Sequence, residues 1–195
     1  MTDPVRAGTR AVVITASNRA SRGEREDSSG HLAVERLRAL GCVTADPTVV
    51  PDDIPAITTA VRAAVETGAA VVVTTGGTGV TPTDVTPEAT RPLLDREIPG
   101  IAEAIRLTSR DRVPTSVLSR GVAGVAGGTL VVNLPGSPGG VRDGFDVLAP
   151  ILGHVLDQIR GGDHVQPATV VGAGAGAGDS AAPPADLRQA REGAP

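Results

Sequence analysis

Three glycines within four positions, Gly76, Gly77 and Gly79, end an apolar run inside the stretch VVVTTGGTGVTPTDVTPEAT at residues 71–90. Glycine accepts φ > 0 and lets a ligand approach the main chain, so successive backbone N–H groups in such a loop can form a nest for an anion. Thr74, Thr75, Thr78 and Thr81 add hydroxyl donors around it. Thr86 followed by Pro87 reads as an N-cap and the first helical position, so the positive end of a helix dipole is expected nearby. A loop of this kind can hold phosphate without a lysine. The chain contains none, because all 18 of its positive side chains are arginine. That excludes a Walker A loop, a protein kinase, a Schiff-base enzyme and a lysine-adenylate ligase, each of which needs an ammonium or amine at its centre.

Asp84 lies on the far side of the same loop. A carboxylate repels a phosphate unless a hard cation sits between them, and Mg²⁺ takes one or two carboxylates while bridging to phosphate oxygens. The alternative is that Asp84 caps the helix opening at Pro87, and residue chemistry leaves both readings standing. A second loop, NLPGSPGG at residues 133–140, repeats the arrangement of strand, tight turn and helix start. In it Ser137 is a candidate cap, and Arg142 sits in a first turn where a cation is unfavourable unless an anion offsets it or the side chain points into water. The stretch VPDD at residues 50–53 offers two aspartates, one to cap a helix and one to remain free. Ser17, Asn18 and Arg19 open a polar loop, SNRASRG, whose two guanidinium groups suit phosphate or simply face solvent. His31, His154 and His164 are scattered, and no metalloprotease or serine-triad pattern accompanies them.

These loops need strands behind them. Residues 11–15 (AVVIT), 69–75 (AAVVVTT) and 129–134 (TLVVNL) are short, continuous, β-branched runs, suited to strands buried on both faces. Residues 43–50 form a weaker strand, interrupted by Asp46 and Pro47 and therefore expected near an edge. Residues 122–126 read as a short strand before the last one. Helical stripes alternate with them: Ala33, Leu37 and Leu40 after the caps Asp27, Ser28 and Ser29; Ile54, Ile57, Val61 and Val65; a helix at 100–111; and a long one running from Val141 to Ile159, kinked at Pro150. The alternation predicts an α/β fold: an open, mostly parallel, Rossmann-like sheet with helices on both faces. Ligands of such sheets bind outside the carboxyl ends of the strands, which is where all four loops fall.

The chain has 195 residues and a net charge of −4. It carries no basic stripe, and Phe145 is its one aromatic residue, so neither duplex binding nor base stacking is expected and nucleic acid is not a predicted partner. Cys42 stands alone, which excludes an internal disulfide or thiolate zinc cluster and suits a small core residue. No apolar stretch is long enough for a membrane span, and the N-terminus lacks a signal-peptide core, so a cytoplasmic protein without membrane attachment is expected. The organisation expected is a flexible N-terminus at 1–9, an α/β domain at 10–162, and an Ala/Gly/Pro-rich tail at 163–195 that is mostly disordered.

TTGGTGVTPTDVTPEAT, NLPGSPGG, VVPDD and ASNRASRG, in this order and spacing between residues 10 and 162, resemble the molybdenum cofactor biosynthesis proteins of the MogA/MoaB type, relatives of the gephyrin G domain. The resemblance implies a homotrimer with molybdopterin adenylyltransferase activity. ATP and molybdopterin would be its substrates, Mg²⁺ its cofactor, and a molybdenum insertase its downstream partner. Carried over by motif, the catalytic and metal-holding pair is Asp52 and Asp84. Ser17, Arg19, Thr75, Gly76, Gly77, Thr78, Gly79, Asn133, Leu134, Pro135, Gly136 and Ser137 form the pterin-phosphate and nucleotide loops. Two departures stand out: Thr83 where many relatives have Arg, and Asn18 where many have Asp. A molybdopterin-binding protein that has lost catalysis, and a nucleotide hydrolase using the same loops, are the alternatives that resemblance and residues leave open.

Overall fold

The computed structural model describes residues 3–162, and the tail expected at 163–195 lies outside the described residues. Its centre is a six-stranded sheet in the order β2-β1-β3-β6-β5-β4. The three β-branched runs become β1 (Ala11–Ala16), β3 (Val71–Thr75) and β6 (Thr129–Leu134), hydrogen-bonded in parallel as the middle of the sheet. The interrupted run shortens to β2 (Thr48–Val50) at one edge, with Asp46 and Pro47 left out of the ladder. At the other side β5 (Ala123–Ala126) runs antiparallel to β6 and pairs with a two-residue strand, β4 (Arg96–Glu97), too short and too charged to be expected from its sequence.

Alternation along the central strands sorts side chains between two cores, as a sheet covered on both faces requires. Val13, Val73 and Val132 point to one side and meet Leu37 of α2 (Ser28–Ala39), Ile101 and Ile105 of α5 (Pro99–Thr108), and Phe145. Ile14, Val72 and Val131 point to the other, against Ile57 and Val61 of α3 (Ile54–Glu66) and Ala89 of α4 (Thr86–Thr90). Cys42 belongs to the first core, and burial pushes its thiol pKa up.

The long final helix is instead two, α6 (Pro138–Leu148) and α7 (Leu152–Ile159). Pro150 has no N–H to donate and its ring crowds the preceding turn, so the helix breaks there rather than bending. Both pieces still bury Val141, Phe145, Leu148, Leu152 and Leu156 in the first core. Residues 3–9 make contacts of their own: Arg6 pairs with Asp157, Asp3 lies 3.0 Å from His154, and Val5 packs on the first core. Among the described residues no helix is long and apolar enough to cross a membrane.

Candidate functional site

The chain leaves β1 for β2 on one side and returns past it to β3 on the other, so the connections diverge between β1 and β3. Helices that pack on opposite faces leave a crevice at such a point, above the carboxyl ends of the strands. A cavity of about 330 Å³ occupies it, walled by Ser17, Arg19, Asp52, Gly76, Gly77, Asp84 and Gly136 among others. The polar loop after β1 is partly helical: Asn18–Ser21 forms α1, with the Ser17 hydroxyl accepting from Ala20 N–H at 3.2 Å. Asn18 and Asp52 then clasp each other. Asn18 N–H donates to Asp52 Oδ2 at 2.7 Å, and Asp52 N–H donates to Asn18 Oδ1 at 3.2 Å. Of the two aspartates in VPDD, Asp53 caps α3 and Asp52 faces the cavity.

Gly76 and Gly77 have φ of 88° and 61°, the left-handed region that the sequence called for. A side chain on Gly76 would also strike the Ala16 carbonyl. Gly136 brings the second loop onto the first, since a Cβ there would lie 2.9 Å from Gly76 Cα. Contrary to expectation, Thr86 does not cap α4; Val85 holds the cap position and no side chain satisfies it. The Thr86 hydroxyl is used elsewhere, donating to Gly76 O at 2.9 Å, while its N–H donates to Gly77 O at 3.0 Å. The threonine therefore shapes the glycine loop, and α4 is only five residues long.

Asp84 caps a turn of its own loop. Its Oδ2 accepts from Thr81 N–H at 2.8 Å and from the Thr81 hydroxyl at 2.7 Å. No hydrogen bond from the described residues reaches Asp84 Oδ1 or Asp52 Oδ1. Each half-buried carboxylate is thus fixed by one oxygen and free at the other. Glu26 and Asp27 also line the cavity, so four carboxylates face two guanidinium groups, Arg19 and Arg25, a formal surplus of two negative charges. The described residues contain no cluster of three or more metal-ligating side chains. Mg²⁺ does not need one, since it is held by one or two carboxylates and keeps several waters. The donor set fits such an ion.

On the other side of the two loops lies a second cavity of about 330 Å³. Thr78, Gly79, Pro135 and Ser137 form its near wall, α5 and the segment 109–119 its far wall. Ser137 caps α6 through Gly140 N–H at 3.1 Å, as expected. Arg106 and Arg112 supply positive charge, with Arg112 2.6 Å from the buried Asp143. Arg142 is exposed and lines neither cavity.

Three of the expected ligand residues stand behind the walls. Leu134 is wholly buried in the first core. Asn133 is buried, with its amide donating to Thr74 Oγ1 at 2.9 Å and Thr90 Oγ1 at 3.1 Å, tying β6 to β3 and α4. The buried Thr75 hydroxyl donates to Thr15 Oγ1 at 3.2 Å, part of a network in which Thr15 donates to Asp27 Oδ2 at 2.6 Å. Arg25 and Asp27 in the first cavity and Arg112 in the second are contributors that the motifs did not point to. Asp27 carried a cap signal and is the cap of α2; the arginines carry no local signal.

A family model described as "Probable molybdopterin binding domain" matches residues 12–154. The molybdopterin adenylyltransferase of Pyrococcus furiosus is 40% identical over 153 residues, 76% of this chain and 89% of the relative. A molybdenum cofactor biosynthesis bifunctional protein of Synechococcus elongatus is 39% identical over 158 residues, 81% of this chain. The match spans about half, 50%, of that relative's length. The solved structure of the molybdopterin biosynthesis Mog protein from Mycobacterium ulcerans superposes with a TM-score of 0.74 at 51% identity, covering 80% of this chain and 99% of that one.

Proposed function

The chain belongs to the molybdopterin-binding domain family of molybdenum cofactor biosynthesis, and on that premise we propose that it is a molybdopterin adenylyltransferase. An oxygen of the terminal phosphate of molybdopterin attacks the α-phosphorus of ATP. The bond from that phosphorus to the bridging β oxygen breaks, and pyrophosphate leaves with the electron pair. The observation that carries this reading is the pair of cavities, about 330 Å³ each, divided by a rim made of Gly76, Gly77, Thr78 and Gly79 on one strand end and Pro135, Gly136 and Ser137 on the next. A reaction joining two phosphate esters needs two pockets that meet where phosphate is held, and a rim of glycine amides suits that place.

A phosphate monoester is an anionic nucleophile at neutral pH, so the protein's contribution is alignment and charge neutralisation rather than a strong base. Asp52 and Asp84 would hold Mg²⁺, which when bound neutralises phosphate charge and orients the leaving group. The surplus of carboxylates in the first cavity supports a divalent ion there, because a triphosphate alone would meet net repulsion. Arg19 offers a guanidinium to the phosphates, and Ser17 the start of α1. The resemblance further supports a cytoplasmic homotrimer that passes its product to a molybdenum insertase.

A second reading, a molybdopterin carrier without catalysis, is favoured by Thr83, which lines the first cavity with no charge where many relatives have Arg. One assay separates the two. Purified protein is incubated with ATP and Mg²⁺, and pyrophosphate is followed with and without molybdopterin. Pterin-dependent release is expected; pterin binding with no release supports the carrier, and release without pterin supports a hydrolase.

A further inference from the structure

Arg120 touches neither cavity, yet it holds the loop that carries Asp84 at three places. Its Nε donates to Gly79 O at 2.7 Å, Nη2 donates to Asp84 O, and Nη1 and Nη2 meet the Glu88 carboxylate. Its backbone N–H donates to Thr78 O at 2.8 Å. One guanidinium therefore spans the loop from Gly79, through Asp84, to Glu88 of α4. We infer that Arg120 is a positioning residue for Asp84 in the adenylyl transfer, an assignment that rests on the function proposed above.

Three features of the contact separate positioning from substrate binding. Its cation is matched by Glu88, whose pKa the Arg120 hydrogen bond lowers, so the pair brings no net charge toward a phosphate and does not replace the arginine absent at Thr83. Its acceptors at Gly79 and Asp84 are main-chain carbonyls, so it fixes the path of the loop and leaves the Asp84 carboxylate to Thr81. And Arg120 is itself anchored. Arg106 of α5 donates to Ser119 O at 3.3 Å and Gly121 O at 3.1 Å on either side of it, while Ser119 and Arg106 both line the second cavity. The wall of one cavity is thereby braced against the metal-holding loop of the other.

The planar fork is required because three acceptors in different directions are met at once. A lysine ammonium, a single point on a flexible stem, cannot bridge them. Arg120→Ala and Arg120→Lys are compared with wild type for pterin-dependent pyrophosphate release, for the Mg²⁺ concentration giving half-maximal rate, and for amide hydrogen exchange at residues 79–85. Both variants are expected to lose about 30-fold or more in kcat, to need several-fold more Mg²⁺, and to exchange the loop amides about tenfold faster while β3 and β6 stay protected. Glu88→Gln, which keeps an acceptor for the fork, is expected to stay within a few-fold of wild type. Arg120→Lys at wild-type rate and Mg²⁺ requirement would overturn the inference by reducing Arg120 to a charge. Unchanged loop exchange in Arg120→Ala would overturn it in any case. If wild type itself releases no pyrophosphate, the transferase reading fails, and the exchange measurement still decides whether Arg120 braces the loop.

Discussion

Asp52 and Asp84 come from different strand ends and share one design. In each, Oδ2 accepts from a backbone N–H while Oδ1 accepts no hydrogen bond from the described residues, and both side chains belong to residues that line the first cavity. Asp52→Asn and Asp84→Asn preserve shape and remove the charge a metal ion needs. Each is expected to lower turnover on the order of a hundredfold, the scale of a few kcal/mol of metal-borne charge stabilisation. Their melting temperatures should stay within a few degrees of wild type, and thermal melts beside pyrophosphate kinetics check both. Glu88 titrates in a way that reports on the same loop. Arg120 holds its pKa below the ordinary carboxylate value, so the pair's contribution is complete above the unfolded value and is lost as pH falls through the folded one. Loop amides at 79–85 should therefore exchange faster, once corrected for intrinsic rates, as pH drops below the carboxylate range, and Glu88→Gln should remove that pH dependence. At this scale the sequence was partly legible. Glycines and aspartates declare themselves through turn chemistry and cap position. Arg120 does not, because its partners lie 32 to 41 positions away in the chain.

The elements behave as the hydrophobic pattern dictates where burial is complete. β1, β3 and β6 were readable because strands covered on both faces favour continuous runs of apolar, mostly β-branched residues. β4 was not, since two exposed residues, Arg96 and Glu97, carry no pattern and pair only because β5 is beside them. The break between α6 and α7 was read as a kink; a helical apolar stripe continues across it because both pieces face the same core. The loops between the elements follow tighter rules. Gly76→Ala is expected to destabilise by about 1–3 kcal/mol from the left-handed backbone alone, and more where its Cβ meets the Ala16 carbonyl. Thr86→Val, which removes the hydroxyl bonded to Gly76 O, should cost about 1–3 kcal/mol by leaving a buried acceptor short of a partner. Urea denaturation of both variants gives these values directly. Asn133 looked like a ligand residue from its motif, but its amide is consumed in holding β6 to its neighbours, a role that only the three-dimensional pairing reveals.

For the whole molecule, topology decides where chemistry can happen. Crossing from β1 out to β2 and back to β3 opens the crevice, and the parallel strands β1, β3 and β6 deliver their loops to the same end of the sheet. The outer side of the second cavity's wall carries a different signal. Leu107, Val113, Val117 and Leu118 are about half exposed on the segment that walls the second cavity, a density of apolar side chains suited to a partner surface. Light scattering is expected to report a mass three times the 19.5 kDa of one chain. Leu107→Asp combined with Val117→Asp should shift it toward the monomer. The central claim is that two substrates meet across the rim of Gly76, Gly77, Gly79 and Gly136. A crystal structure of the protein with adenylylated molybdopterin tests it most directly. The product is expected to reach from one cavity into the other with its pyrophosphate linkage against those glycine amides. An adduct lying wholly within one cavity, or bound away from the rim, would contradict the account.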